Sequence, residues 1–486
     1  MNKKAKRPPR CRLRVKGTKP CMKIGFISLG CPKNQLDTEV MLREVVEAGY
    51  EITPEDIEAD IIIINTCAFI ESARKEAIDN ILDVAWLKEN RNLKGIIVTG
   101  CLAERYREQV LEEMPEVDAL LGVGGIHHIV EAIQAVEKQC KKKNLPASEK
   151  FCNFDDKNTV ALGGDRVLTT PEYAAYIKIA EGCDNKCAYC AIPSIRGGFR
   201  SRPMEDLIKE AKELSDMGVR ELTVVAQDIT RYGKDLYGHY ALHELLHKIT
   251  EETTIPWIRL LYCYPDKITD ELIAEIRDNP RILKYIDLPL QHISDHMLTA
   301  MNRHGDSAMI RDVIAKLRRE VPGIIIRTTF IVGFPGETEE DFDELAAFVK
   351  ETRFDHAGVF TYSREEGTPA CDFPDQIDEQ VKQDRMDILM REQMVINAEQ
   401  NEQKVGSVID VLCEDFDPVN DCYFGRSAAD APDIDGKVFF SWRGEGRIAP
   451  GSFVKVKVRE VVDYDVYGFA MTEKDAASAK KRVRKN

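Results

Sequence analysis

Short apolar runs alternate with amphipathic helical stretches along the first part of the chain. Three runs are typical of buried strands, and the stretches after the first two have the period of helices. Strands are predicted at residues 23–30, 60–65 and 95–99, and helices at 38–48 and 71–88. Because strands that alternate with helices form parallel sheets, the pattern predicts a doubly wound parallel α/β domain.

The same alternation resumes after a polar stretch at 141–168, which we interpret as a linker. Six further strands are predicted, with helical patterns between them, at 174–179, 221–226, 258–261, 285–288, 324–332 and 356–361. Six such units predict a partial or full parallel (β/α) barrel. In barrels of this kind the functional groups lie at the C-terminal rim of the strands.

The last part of the chain changes to an all-β pattern. A charged amphipathic helix is predicted at 379–402, and short strands with glycines between them follow at 408–413, 437–440 and 453–458. A small closed β-barrel of about 65 residues fits this pattern. The predicted organisation is a basic leader (1–21), an α/β domain (22–140), a linker (141–168), a barrel core (169–402), a small β-domain (403–472) and a basic tail (473–486).

Composition places the chain among ordinary globular proteins. It has 486 residues, 43% hydrophobic and 31% charged. No apolar run is long enough to cross a bilayer, and the basic start lacks the apolar segment of a secretory signal, so we expect a cytoplasmic protein without a membrane partner. There the 14 cysteines should be thiols or metal ligands. The net charge of −15 disfavours a general nucleic-acid binder and favours a basic partner, although solubility alone would also account for it.

Three cysteines lie together just after the first predicted strand of the barrel core. Cys183, Cys187 and Cys190 have Cys-x3-Cys-x2-Cys spacing, with no fourth cysteine close by. Three thiolates can hold three irons of a 4Fe–4S cluster and leave the fourth iron open. A structural zinc site would need a fourth ligand, and a disulfide framework is typical of small secreted chains. The spacing therefore favours a cluster.

Each of the first three predicted strands runs directly into a cysteine. These are Cys31, Cys67 and Cys101. Because open α/β sheets bind ligands at the carboxyl ends of their strands, the three should converge on one edge. Any one of them could be a buried free cysteine. Three at three strand ends favour a second three-thiolate cluster.

With these motifs in place, the chain resembles the radical S-adenosylmethionine methylthiotransferases over nearly its whole length. The stretches at 191–197, 287–292, 327–337 and 362–368 are similar to one branch, the RimO family, which modifies an aspartate of ribosomal protein uS12. The tRNA-modifying relatives tend to have Val-Val-Pro where residues 191–193 read Ala-Ile-Pro, and Gln-Ser-Gly where residues 291–293 read Gln-His-Ile.

The resemblance implies two 4Fe–4S clusters and S-adenosylmethionine as cofactors. Cys183, Cys187 and Cys190 would hold the cluster that binds S-adenosylmethionine, and the N-terminal set would hold an auxiliary cluster that carries the sulfur. The three domains would then be a methylthiotransferase N-terminal domain, a radical-SAM core and a TRAM barrel. A radical would remove hydrogen from the β-carbon of the aspartate, and sulfur insertion and methyl transfer would follow. The implied partners are uS12, free or in the small subunit, and an electron donor such as flavodoxin or ferredoxin; the sulfur source is open.

Other candidate residues have an ordinary structural interpretation beside the functional one, and no catalytic side chain is assigned. The candidates for contact with S-adenosylmethionine are Tyr189, Gln227, Asp228 and Gly333. Tyr189 would equally serve core packing, and a glycine such as Gly333 is common in any turn. Gln291 and His292 end a strand where barrel catalysis occurs, but a lone histidine there is more often a hydrogen-bonded structural residue.

Two alternative functions remain open. A tRNA adenosine methylthiotransferase would share all the cluster residues, and a non-catalytic iron–sulfur scaffold for ribosome assembly would need no turnover. The last domain carries 12 Asp and Glu against 8 Lys and Arg between residues 404 and 472. RNA-binding modules are usually basic, because phosphate neutralisation dominates their affinity. The acidic domain therefore favours a basic ribosomal protein as partner, although a solvated acidic surface would have the same composition.

Overall fold

Two parallel sheets and a closed barrel follow one another along the chain. The structure is a computed structural model that describes residues 22–139 and 146–472. The predicted basic leader at 1–21 and basic tail at 473–486 lie outside the described residues. Within the described ranges, no helix is both long and apolar enough to span a membrane.

The first sheet has six parallel strands in the order β2-β1-β3-β4-β5-β6. Its strands are β1 (Lys23–Ser28), β2 (Glu51–Ile52), β3 (Ile61–Thr66), β4 (Gly95–Gly100), β5 (Ala119–Leu121) and β6 (Phe151–Asn153). Its helices are α1 (Pro32–Glu47), α2 (Glu71–Asn90), α3 (Cys101–Tyr106), α4 (Glu108–Glu113) and α5 (Ile129–Gln139).

Successive isoleucines of β3 point to opposite faces of the sheet, and helices cover both faces. Ile62 and Ile64 pack in the core on the α2 side, and Ile61 and Ile63 in the core beneath α1 and α5. A strand buried on both faces is apolar throughout, which explains its four consecutive isoleucines. The predicted doubly wound parallel sheet is confirmed.

The segment predicted as a linker at 141–168 contains a strand. β6 pairs in parallel with β5 and adds the sixth strand to the sheet. Residues beyond it contact the barrel core, since Arg200 donates to the carbonyl oxygen of Val160 at 2.8 Å. Three residues are too few to show a strand period, so the sequence pattern gave no sign of this strand.

The second sheet is a partial parallel barrel whose strands follow chain order from β7 to β14, and β8 and β9 form a separate antiparallel pair. The strands of this part of the chain, including the separate pair, are β7 (Ala174–Lys178), β8 (Ala180–Glu181), β9 (Arg200–Ser201), β10 (Glu221–Val225), β11 (Trp257–Leu260), β12 (Ile282–Gln291), β13 (Ile325–Val332) and β14 (His356–Thr361). The helices are α6 (Ile192–Arg196), α7 (Met204–Asp216), α8 (Lys234–Tyr237), α9 (Leu242–Glu252), α10 (Asp270–Asp278), α11 (Asp295–Ala300), α12 (Ser307–Glu320), α13 (Glu339–Thr352) and α14 (Glu379–Glu402).

The C-terminal part is a closed five-stranded barrel in the order β15-β16-β17-β19-β18. Its strands are β15 (Val408–Asp417), β16 (Cys422–Ser427), β17 (Val438–Ser441), β18 (Phe453–Val462) and β19 (Asp465–Ala470). The sequence pattern missed β16 and β19, and each contains a glycine. A side chain at Gly425 would approach the carbonyl oxygen of Leu412 to 2.1 Å, so the neighbouring strand requires glycine there.

A buried carboxylate joins this barrel to the parallel core. Glu221 begins β10 and is fully buried; it accepts from Arg259 Nε at 2.7 Å and from Arg426 Nη2 at 2.5 Å. Arg426 belongs to β16, so the pair of arginines links the two domains. Trp257 packs edge-on against Phe453 beside them, with ring centroids 4.7 Å apart.

Replacing Glu221 by glutamine should lower the free energy of unfolding by about 3 to 5 kcal/mol, because two buried guanidinium groups lose the carboxylate that they share. Urea unfolding followed by tryptophan fluorescence measures this, since Trp257 lies at the same interface. Glu252→Gln is the matched control: Glu252 pairs with Lys212 at the surface, where such pairs contribute little. Equal unfolding midpoints for both variants would contradict the expectation.

Candidate functional site

The three N-terminal cysteines converge on one edge of the first sheet. Cys31 immediately precedes α1, Cys67 follows β3, and Cys101 is the first residue of α3. The sheet order places β1, β3 and β4 side by side. Strand β2 is added on one side of β1 and the later strands on the other, so the order of the strands switches between β1 and β3. Such a switch point is where open α/β sheets bind their ligands.

Backbone geometry at Gly30 allows this convergence. Gly30 has φ +86°, and a side chain there would lie 2.6 Å from Cβ of Cys67. Glycine is therefore required twice, by its conformation and by the close approach of Cys67. The two cysteine-bearing strand ends meet because this position carries no side chain.

The pKa values of the three thiols shift in different directions. Burial raises the pKa of Cys67, and it raises the pKa of Cys101 to about 12. Burial also acts to raise the pKa of Cys31, but Lys33, Arg196 and the backbone amides at the start of α1 outweigh it and lower that pKa. Thiols with raised pKa values are protonated until a metal displaces the proton.

The second cysteine set lies on the loop between β8 and α6. The Cys183 amide donates to the carbonyl oxygen of Gly197 at 3.1 Å, and the Ala188 amide donates to that of Met301 at 2.9 Å. Burial raises the pKa of Cys183 to about 11 and that of Cys190 to about 12. Backbone hydrogen bonds thus hold the loop at two points, with Cys187 buried and Cys183 and Cys190 half-buried.

A cationic group lies beside this loop. Arg303 is placed with Nη1 3.8 Å from Sγ of Cys187, and its guanidinium stacks 4.0 Å from the ring centroid of Tyr264. Tyr264 Oη itself is 3.6 Å from Cys187 Sγ. A guanidinium without an ion-paired carboxylate among the described residues suits the negative charge of metal-bound thiolates.

These residues fit two clusters. The described cysteines are all free thiols, and each set has an arginine beside one of its three cysteines. No three His, Cys, Asp or Glu side chains in the described part of the chain converge on a single ion. That result is expected for cluster ligands, because each thiolate binds a different iron.

A buried polar network, which we call the seam, joins the two cysteine sets. It consists of Asn34, Asp37, Cys101, Lys178, Glu181 and Arg196. Arg196 Nη1 donates to Asp37 Oδ2 at 2.8 Å and to Glu181 Oε2 at 3.1 Å. Its Nη2 donates to Asn34 Oδ1 at 3.0 Å and lies 3.7 Å from Sγ of Cys101. Except for Cys101, sequence reasoning missed these residues, because their partners lie far away along the chain and no local period marks them.

Of the four candidate cofactor-binding residues, Tyr189 and Gln227 face the site. Tyr189 Oη lies 3.5 Å from Arg303 Nη1. Gln227 donates to Glu181 Oε1 at 2.6 Å, and its own amide oxygen is buried without a hydrogen-bond partner. An unpartnered acceptor of this kind is available to a bound ligand.

Asp228 and Gly333 have partners within the protein. Asp228 accepts from Asn185 Nδ2 at 3.0 Å and from Thr230, so it holds the cysteine loop. Gly333 has φ +71°, and a side chain there would come within 2.2 Å of Lys382 Cγ. Packing against Lys382 accounts for this glycine without any cofactor.

His292 is a structural residue. It is fully buried, its Nε2 lies 3.1 Å from Glu337 Oε1, and its Nδ1 accepts from the Ser294 amide at 3.0 Å. Both ring nitrogens are therefore occupied. Gln291 before it has φ +73°, a strained conformation for a residue other than glycine.

Comparison with known proteins finds three family models in the order of the three domains. They are the uncharacterized protein family UPF0004 at residues 23–122, the Radical SAM superfamily at 177–349 and the TRAM domain at 405–471. A solved radical S-adenosylmethionine methyltransferase, TsrM from Kitasatospora setae, shares the fold with a TM-score of 0.52 and 13% identity over 80% of this chain and 79% of that one.

Fold and cysteine loop together define a radical S-adenosylmethionine enzyme. Proteins named ribosomal protein uS12 methylthiotransferase RimO match this chain closely. The protein from Desulforamulus reducens is 50% identical over 92% of this chain and 98% of its own length, and that from Acetivibrio thermocellus is 48% identical over 93% and 99%. The chain therefore belongs to the RimO family of methylthiotransferases and is a transferase.

Removing either cysteine set should halve the iron content. The wild type, purified without oxygen, is expected to hold about eight irons, and the triple alanine variant of Cys183, Cys187 and Cys190 about four. The triple variant of the N-terminal set should also hold about four. Cys413→Ala, a buried cysteine in the C-terminal barrel, is the control and should keep the wild-type content. Four irons in the wild type would contradict the prediction of a second cluster.

Arg196→Lys should loosen the seam, because a lysine keeps the charge but cannot reach Asn34, Asp37 and Glu181 together. We expect hydrogen–deuterium exchange in the first turns of α1 to become faster, equivalent to a loss of about 1 to 3 kcal/mol of local stability. Arg277→Lys, at an exposed pair with Asp278, is the control. Unchanged exchange in α1 would show that the seam does not depend on the guanidinium.

Proposed function

We propose that this protein adds a methylthio group to the β-carbon of an aspartate in ribosomal protein uS12. The observation that carries the proposal is the seam, in which Arg196 lies 3.7 Å from Cys101 Sγ and ends the short helix that begins two residues after Cys190. Two cysteine sets so closely joined suit one reaction that uses both. The names of the relatives supply the acceptor protein.

The residues present indicate which groups each set would hold. Cys183, Cys187 and Cys190 would hold the 4Fe–4S cluster that binds S-adenosylmethionine, and Cys31, Cys67 and Cys101 would hold the auxiliary cluster. When bound, these cofactors supply the radical, the sulfur and the methyl group. An unactivated C–H bond needs a radical, because no side-chain base could deprotonate it at neutral pH.

The chain itself contributes position, charge and exclusion of water. Arg303 and Arg196 each place a cation beside one cysteine set, which favours thiolates over thiols. Gln227 offers an unpartnered buried amide oxygen next to Glu181, and we assign it to S-adenosylmethionine together with Tyr189. The contact of Asp228 with Asn185 supports a loop-holding role for this residue instead, and packing against Lys382 accounts for Gly333.

The acidic last domain supports a basic protein as the acceptor. Its 12 acidic against 8 basic residues between 404 and 472 would repel a phosphate backbone and attract a ribosomal protein. An acceptor of this kind also places the enzyme in the cytoplasm. Each turnover needs an electron, for which a flavodoxin or ferredoxin is the proposed donor.

Reconstituted enzyme should methylthiolate uS12 and leave tRNA unchanged. The assay offers each substrate separately under anaerobic conditions with S-adenosylmethionine, a sulfide source and a reductant, and mass spectrometry reads the methylthio gain and its position. A gain on aspartate of uS12 is the expected result. A gain on tRNA alone would favour the adenosine-modifying alternative, and absence of methionine and deoxyadenosine formation would favour a scaffold.

A further inference from the structure

Lys33 is a buried lysine that connects the N-terminal cysteine edge to the rim of the barrel core. It lies in the first turn of α1, two residues after Cys31, and is 7% exposed. Its Nζ is 3.4 Å from the ring centroid of Tyr262, which follows β11. The ammonium group is therefore placed between the two parts of the molecule that carry the cysteine sets.

Lys33 has no carboxylate partner among the described residues, whereas its buried cationic neighbours do. Lys178 and Arg196 both bind Asp37 and Glu181. Removing an ammonium group from water without an anion is costly, and contact with an aromatic ring offsets only part of that cost. Apart from the nearby Cys31 thiol, the described chain offers this ammonium no anionic group, so the position suits a carboxylate from outside.

The ring beneath Lys33 is held in place by a strained backbone. Tyr262 has φ +66°, which a residue other than glycine adopts only when its surroundings enforce it. Its amide donates to Asp287 Oδ2 at 2.9 Å, and Asp287 Oδ1 in turn accepts from Arg327 Nη1 at 2.9 Å. The ring therefore occupies a fixed position on one side of the Lys33 ammonium.

We propose that the Lys33 ammonium binds the side-chain carboxylate of the acceptor aspartate, an inference that rests on the proposed function. The β-carbon of aspartate is bonded directly to that carboxylate, so a fixed carboxylate also fixes the reacting carbon. Cys31, two residues away, belongs to the set that would hold the sulfur. Lys33 is then a positioning residue that also determines specificity, because a buried ammonium discriminates a carboxylate from a neutral amide.

The competing role for Lys33 is that of a counter-ion for Cys31 and whatever metal that thiolate binds. Loss of a counter-ion would change the N-terminal cluster and would affect every acceptor alike. Loss of a carboxylate-binding group would leave the cluster intact and affect only acceptors that carry the carboxylate. The two roles therefore predict different results with matched acceptors.

The test compares full-length wild type with Lys33→Met, which keeps the length of the side chain and removes its charge. The acceptors are uS12 and a uS12 variant in which the aspartate that the wild type modifies, identified first by mass spectrometry, is replaced by asparagine. Competition binding gives the affinity ratio of the two forms. We expect the wild type to prefer the aspartate form by about 10- to 100-fold, and Lys33→Met to lose that preference while iron content and the electron paramagnetic resonance spectrum stay unchanged.

Lys382→Met is the matched control. Lys382 is as buried as Lys33 and its Nζ lies 5.3 Å from the ring centroid of Tyr362, but it pairs with Glu379 at 2.5 Å. This variant should keep the preference for aspartate, and Lys33→Arg should restore part of it.

Two results would overturn the proposal. One is a Lys33→Met enzyme that keeps the preference for aspartate, even if it binds both acceptors more weakly by the same factor. The other is a Lys33→Met enzyme that loses the N-terminal cluster. A wild type that modifies no form of uS12 would instead refute the proposed function, whatever Lys33 does.

Discussion

The buried guanidinium of Arg196 determines how the two cysteine-bearing parts of this protein fit together. It contacts Asp37 and Asn34 of the N-terminal domain and Glu181 of the barrel core, and Lys178 completes the set of charges. Two cations and two carboxylates balance one another out of water. Removing any one of them would leave a buried charge without a partner, which costs several kcal/mol, so these charges favour this docking arrangement of the two domains.

Arg196 is also close to a cysteine of each set. Arg196 ends α6, which begins two residues after Cys190, and the same guanidinium lies beside Cys101 Sγ. One short helix and one side chain thus connect the two cysteine-bearing segments directly, without a flexible connection. The reaction that we propose would use both sets and would require such fixed geometry, because small displacements reduce rates steeply.

Much of the fold and the placement of the N-terminal cysteines at three strand ends could be predicted from the sequence, because strand ends and cysteine spacing are local features. Helix α14 begins and ends where its pattern predicted. Helix α1 begins earlier than predicted, at Pro32, because Asn34, Asp37 and Thr38 are polar yet buried. Their burial depends on the second domain, and no amphipathic period can reveal it. Lys33 and Arg303 were missed for the same reason, since their surroundings come from distant segments.

Contacts at the opposite edge of the barrel complete the enclosure of the site. Glu365, which follows β14, is buried and accepts from Arg105 of the N-terminal domain at 2.8 Å. At the other edge strand, β7, Lys178 binds Asp37 of α1. The N-terminal domain thus holds the rim at both edge strands of an open barrel and covers the space between them. A covered rim excludes water from a reactive intermediate.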